Sequence, residues 1–332
     1  MAPPRRSVRL ARELAFDPAA RLENRHVSPH VLRHLCRLAD DKISCGDPDW
    51  LRVVRLGCRI ADRLRTDEAR ALSFAPLVTG LALTNRLGHA ERAVEIALAA
   101  APTHLKGDLI RRRSIVRMYQ GRLSEALEDA RTAVELAAGG RSHAVALEVL
   151  GIVLYYRGET RAAIRELARA LAETDPDADI LYDIAIQNYA NALGQGTDEE
   201  AARALELCAE LRSRLKDRHK VQRAKLWWTE GLLHYRFGDL QAAWWALDIA
   251  RRSLVALKAA PEIAAITADM AQISPQPLAV RHLCYEAAEV ITAPHPLTGY
   301  LRTLESAAEE EIPTAAAALR EAATRLAPCP AL

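Results

Sequence analysis

Small and apolar residues recur along this chain at helical spacing behind a regularly placed glycine. Gly88/Ala93, Gly121/Ala126, Gly158/Ala163, Gly196/Ala201 and Gly238/Ala243 each stand five residues apart, and successive glycines follow at intervals of 33, 37, 38 and 42. Four residues beyond each alanine come Ala97, Ala130, Leu167, Leu205 and Leu247; seven beyond come Ala100, Ala133, Ala170, Cys208 and Ala250. Positions i, i+4 and i+7 share one stripe of an α-helix, and small residues on that stripe let a second helix cross closely. Upstream of each glycine lies another apolar helical pattern, clearest in Leu147, Leu150, Gly151 and Leu154 and in Trp227, Gly231 and Tyr235. Each unit reads as helix, turn, helix, with the glycine at the turn because a positive φ costs it little. A near-constant period of this length predicts a stacked repeat protein.

The unit at 144–175 carries Leu147, Leu150, Gly151, Leu154, Gly158, Ala163, Leu167, Ala170 and Leu171, and the unit at 224–254 carries Trp227, Gly231, Gly238, Ala243, Leu247 and Ala250. In these residues the chain resembles the tetratricopeptide repeat family and, more loosely, divergent bacterial repeat proteins of unassigned or regulatory role. The resemblance covers residues 30–292 and implies an all-α fold. That fold is an α-solenoid of stacked antiparallel helix-turn-helix repeats coiled as a right-handed superhelix, with ligands held in a concave groove lined by the first helices. The chain departs from the pattern at Thr84, Ser114 and Arg117, and the family's closing proline is mostly missing. A degenerate unit around Gly46, Leu51 and Cys58 carries Arg55 at an apolar position, and one at 261–292 has its turn shortened to Ser274-Pro275-Gln276-Pro277. The expected organisation is a basic lead-in over 1–27, helical or disordered, then six to seven helical hairpins over 28–292, then capping helices and a tail over 293–332.

Composition fits helices packed through small side chains: half of the 332 residues are apolar and aromatics are 5%. A net charge of +2 gives no global pull toward nucleic acid or a membrane surface. No apolar run approaches the length of about 20 residues that spans a bilayer. Met1 to Arg12 is basic but lacks the apolar core of a secretory signal. The six cysteines, at 36, 45, 58, 208, 284 and 329, form no CxxC pair and read as reduced thiols of a cytoplasmic protein. Pro313 splits Leu297–Leu326 into two alanine-rich helices that cap the array or pair with a second copy, and Pro328, Cys329 and Pro330 read as a tail.

Chemistry is sparse. His30 and His34 share a helix face near Cys36 and Cys45, donors that suit zinc, but Ser28 and Pro29 are an N-cap and first helical residue, which leaves His26 outside and the histidines as an ordinary exposed pair. Gly194-Gln195-Gly196 is a fragment of a dinucleotide loop without a preceding strand, so a repeat turn is the expectation. No nucleophile elbow, phosphate loop or paired-histidine metalloprotease helix occurs. The expectation is a non-enzymatic protein with no cofactor.

The first helices therefore supply the candidates. Lys106, Arg111, Arg112, Arg113 and Arg117 form a basic group, Gln187, Asn188 and Asn191 an amide group, and Tyr155, Tyr156, Trp228 and Tyr235 an aromatic one. Amides can bond a peptide backbone, arginines its carboxylates, and aromatics give rigid contact area. Consecutive arginines point about 100° apart around a helix, so Arg111, Arg112 and Arg113 cannot all face one groove. Trp227 and Trp244 are expected in the core, Trp228 and Trp245 at the surface. The favoured partner is another protein or peptide, making the chain a scaffold or adaptor. A peptide- or ligand-responsive regulator acting on a transcription or defence partner is the alternative. Nucleic acid is disfavoured, because the aromatics do not interleave with the basic residues.

Overall fold

In most hairpins the second helix begins from the same hydrogen bond. The amide of an alanine bonds the carbonyl of the N-cap four residues earlier: Ala90 to Arg86, Ala126 to Arg122, Ala163 to Glu159, Ala201 to Thr197 and Ala243 to Asp239, at 2.9–3.0 Å. These alanines are fully buried. The computed structural model describes residues 5–19, 21–84, 86–177, 180–215, 219–257, 260–274, 276–291 and 296–326. Pro275 of the shortened turn and the tail at Pro328, Cys329 and Pro330 lie outside them. Among the described residues there are seventeen α-helices and no strand, and no helix is long and apolar enough to cross a membrane.

The chain divides into two compact units, Met1–Tyr182 and Asp183–Leu332. The first holds α1 (Arg5–Phe16), α2 (Pro29–Ser44), α3 (Trp50–Leu64), α4 (Asp67–Leu83), α5 (Leu87–Ala100), α6 (Thr103–Tyr119), α7 (Leu123–Leu136), α8 (Gly140–Tyr156) and α9 (Thr160–Glu173). Helices pair as α2–α3, α4–α5, α6–α7 and α8–α9, and the first helices α2, α4, α6 and α8 lie side by side. Within residues 1–27, α1 buries Leu10, Ala11, Leu14 and Ala15 against this stack. Arg52 closes its end by donating to the carbonyls of Leu14 and Ala15 at 2.9 and 2.8 Å.

From the boundary onward run α10 (Ile180–Leu193), α11 (Asp198–Arg214), α12 (Lys220–Arg236), α13 (Leu240–Ala256), α14 (Ala260–Ile273), α15 (Pro277–Val290), α16 (Pro296–Ser306) and α17 (Ile312–Leu326). The last two helices break the order: α16 packs on α15, and α17 returns to pack along α14. The apolar stripe of α17, Ala316, Leu319 and Ala323, is fully buried within this unit.

The turn glycines work as expected at Gly121 and Gly158, whose φ angles are +74° and +77°. At Gly121 the amide bonds Met118 O at 3.0 Å and the next amide, from Arg122, bonds Arg117 O at 2.9 Å, which satisfies two orphan carbonyls of the preceding helix. Gly46 and Gly238 repeat this arrangement. Gly88 does not, because it lies inside α5; the turn there closes earlier, with Arg86 N bonding Leu81 O at 2.8 Å. The repeat frame is therefore three residues earlier in that unit: Ala90, Val94 and Ala97 are fully buried, whereas of the expected stripe Ala93 and Ala97 are buried and Ala100 is half-buried. Counted from the N-caps Arg86, Arg122, Glu159, Thr197 and Asp239, the intervals become 36, 37, 38 and 42. Gly196 also differs. It has no positive φ, and its missing side chain makes room for the Glu200 carboxylate that bonds Thr197 N at 2.6 Å in a capping box.

The α8–α9 and α12–α13 hairpins are tightened where a glycine meets a leucine. A Cβ on Gly151 would stand 2.5 Å from Leu167 Cγ, and one on Gly231 would stand 2.6 Å from Leu247 Cγ. Eight residues before the N-cap, the register of both glycines, α6 has Ser114, fully buried with its hydroxyl donating to Ala126 O at 2.7 Å. Ser114 thus keeps the pattern it departs from in the sequence, since the facing leucine position holds the smaller Ala130.

Gly231→Ala is expected to lower stability by about 1–3 kcal/mol in urea denaturation, because overpacking outweighs the helix-propensity gain of about 1 kcal/mol. Adding Leu247→Ala should make the two effects non-additive, since removing the leucine relieves the crowding that the new methyl creates. Simple additivity would show that the crossing is not the cause.

Candidate interaction surface

The basic group of α6 is an ion-pair network within unit 1. Arg112, 6% exposed, donates from both terminal nitrogens to the Asp40 carboxylate of α2 at 3.0 and 2.9 Å. It also donates to Asp108 at 2.9 Å, and to Ala75 O and the Thr79 hydroxyl of α4 at 2.9 and 2.6 Å. Arg111 pairs with the same Asp108 at 2.6 Å. Burial works against the Asp108 charge, yet Arg112 and Arg111 outweigh it and hold the carboxyl well below the usual range. Two arginines and two aspartates thus cancel across three first helices. Arg113 and Arg117 turn the other way, to the buried Asp129 of α7, both at 2.8 Å. Lys106 is exposed. Arg112 is therefore a buried tie between helices where the sequence offered it as a contact for a partner, and an Arg117→Glu change would test the fold, by facing Asp129, before it tested binding.

The remaining candidates of unit 1 also find structural places. Tyr155 and Tyr156 are half-buried at the end of α8, edge to face with centroids 5.6 Å apart. His30 is exposed, His34 half-buried and Cys45 half-buried. Cys36 is buried, and its thiol reaches Leu72 O at 3.3 Å. That carbonyl lies four residues before Pro76, which sits inside α4 and has no N–H to donate to it. Cys36 supplies the missing donor, and burial pushes its thiol far up, the reverse of what a metal ligand or nucleophile needs. Among the described residues no three His, Cys, Asp or Glu side chains gather as metal ligands.

Unit 2 presents a different first-helix surface. Gln187 and Asn188 of α10 are buried at 2% and 3% exposure, and the half-buried Asn191 shares their face. The Thr229 hydroxyl of α12 donates to Asn191 Oδ1 at 2.7 Å, joining the amide row to the next first helix. On α12, Gln222 and Lys225 precede Thr229 by seven and four residues, so the three share that face, and all three are buried. Lys225 in turn acts on Glu262 of α14, whose half-buried carboxyl is raised by desolvation and lowered by the lysine, desolvation prevailing. Gln187 Nε2 has no hydrogen-bond partner among the described residues. The sequence offered the amides; it missed Gln222, Lys225, Thr229 and Glu262, which their i, i+4 spacing on the next first helices could have nominated.

Trp227 and Trp228 exchange places relative to expectation, whereas Trp245 is exposed as expected. Trp228 is 4% exposed, and its indole N–H donates to Asp269 of α14 at 2.7 Å; Asp269 also pairs with Arg320 of α17. Trp227 is half-buried, with the Arg212 guanidinium 4.5 Å over its ring and Trp245 edge-on at 5.2 Å. One residue is a 100° turn on a helix, and only the neighbouring α14 decides which of two adjacent indoles is covered. Trp244 is half-buried, and Trp245 and Tyr235 are exposed.

Stacked helical hairpins with side-by-side first helices make this an all-α protein of the helical-repeat class. No family model matches the chain, and no curated protein matches it. A solved structure of the APC/C hetero-tetramer Cut9–Hcn1 is similar over 91% of this chain, with a TM-score of 0.61 and 15% identity. This chain spans 53% of that neighbour's length. The likeness shows a tetratricopeptide-like fold. PilF of Pseudomonas aeruginosa aligns with 67% of this chain and 91% of its own, at a TM-score of 0.43 and 15% identity.

Arg112→Ala removes the cation shared by Asp40 and Asp108 and the donor to Ala75 O, and is expected to cost about 1–3 kcal/mol in chemical denaturation, since both carboxylates remain partly solvated and Asp108 keeps Arg111. The pH dependence has a fixed sign. The folded Asp108 carboxyl lies below its unfolded value, so its contribution is present above about pH 4 and is lost as pH falls below it. Asp108→Asn should flatten the acid limb of the stability profile and leave its shape above pH 5 unchanged.

Proposed function

We propose that this protein is a non-enzymatic scaffold or adaptor that holds an extended polypeptide on the first-helix surface of unit 2. The observation that carries the reading is the polar row Gln187, Asn188, Asn191, Gln222, Lys225 and Thr229. These side chains occupy first-helix positions without supplying apolar packing: Gln187, Asn188, Gln222 and Lys225 are buried beneath the surface, and the half-buried Asn191, joined to Thr229, is the edge of the row that a ligand can reach. An amide at that edge can donate to a peptide carbonyl and accept from a peptide amide, and a peptide backbone supplies both in alternation. The matching surface of unit 1 favours no such ligand, because Asp40, Asp108, Arg111 and Arg112 already satisfy one another. The displaced protonation equilibria also support a binding protein over an enzyme: Asp108 is explained by its arginines, and Cys36 and Cys208 by burial.

Affinity capture from the native host with the whole chain as bait tests this, run beside Asn191→Ala/Thr229→Val. The wild type is expected to retain a polypeptide that the double variant loses by about tenfold or more, with unchanged helical circular dichroism and no effect of nuclease treatment. Equal recovery by both baits, or nuclease-sensitive recovery, would overturn the reading.

A further inference from the structure

The aromatic surface of α13 takes no part in the arrangements above. We infer that it is a second binding site of unit 2, separate from the first-helix surface, and that it receives an arginine side chain of a partner polypeptide. A cleft of about 540 Å³ opens there, lined by Asp239, Gln241, Ala242, Trp244, Trp245 and Asp248. Two indoles beside two carboxylates are the groups that recognise a guanidinium: ring faces attract it through their quadrupole, and a carboxylate takes its planar fork.

The chain already performs this recognition next door. Arg212 lies 4.5 Å over the Trp227 ring while paired with Glu230, and Trp227 meets Trp245 edge-on at 5.2 Å. The indole array is thus continuous, and its inner member is filled by the chain's own arginine. Among the described residues no Lys or Arg lies over Trp244 or Trp245. The outer member is open as well as unfilled: Trp245 is 59% exposed. Exposed apolar area of this kind suits the methylene stem of a long cationic side chain.

One of the two carboxylates is available to serve. Asp239 accepts the Ala242 amide through Oδ1 as helix cap and has no ion-pair partner among the described residues. Asp248 is held by the buried Arg251 at 3.2 Å and by the exposed Arg252 at 2.7 Å, so it forms the wall of the cleft and leaves Asp239 as the carboxylate that takes the guanidinium. Arginine fits better than lysine, because a planar guanidinium can stack on an indole while its edge donates to a carboxylate, as Arg212 does between Trp227 and Glu230.

The test uses the full chain and a fluorescein-labelled hexa-arginine peptide, with a hexa-citrulline peptide as the neutral isostere, at about 0.15 M salt. Trp245→Ala removes an exposed ring, and Asp239→Asn retains the helix cap, so both variants keep the fold, which circular dichroism verifies. Each is expected to weaken hexa-arginine binding about tenfold or more, as is citrulline substitution, while Asn191→Ala leaves it unchanged. The last arm separates this site from the first-helix surface. Equal binding by wild type and Trp245→Ala, equal binding of the citrulline peptide, or a Trp245-dependent dimer in sedimentation that excludes the peptide would overturn the inference.

Discussion

The close crossing of paired helices is the constraint on which the architecture depends. Leu167 and Leu247 enter the space left by Gly151 and Gly231, and no side chain larger than hydrogen fits there without displacing them. With the helices held this near, the connecting turn has to be tight. The positive-φ glycines and their paired carbonyl bonds provide that turn at Gly121, Gly158 and Gly238. Where the pair of volumes is Ser114 and Ala130, a hydroxyl bond to Ala126 O replaces part of the lost apolar contact.

The first-helix surfaces show how one scaffold gives two chemical outcomes. In unit 1 charge is matched to charge: Arg112 binds three helices together and leaves a neutral floor. In unit 2 amides and a hydroxyl replace the matched ions, and Lys225 and Glu262 are left in a desolvated setting. Matched ions close a surface to ligands, since a newcomer would have to break charge-assisted bonds, whereas amides can donate and accept toward a chain that arrives later.

Much of the fold was legible in the sequence because volume and turn chemistry act locally. The alanine rows, Gly151, Gly231 and three of the five turn glycines could be placed by counting. Gly88 could not: a glycine five residues before an alanine satisfies the pattern by coincidence, and the frame is set three residues earlier by the Arg86–Leu81 bond. The amide row was likewise visible, while Lys225, Thr229 and Glu262 were not, because their membership depends on which helices become neighbours.

By itself, then, the chain determined its helices, its hairpins and the small residues at their crossings, since each follows from contacts within about 40 residues. Only the tertiary structure decided which polar side chains are spent on other helices. Arg112 looked available until Asp40, 72 positions away, was brought to it, and Trp228 looked exposed until α14 supplied Asp269. The physical reason is that repeat periodicity is a short-range property, whereas desolvation and charge pairing are set by whatever the fold places opposite.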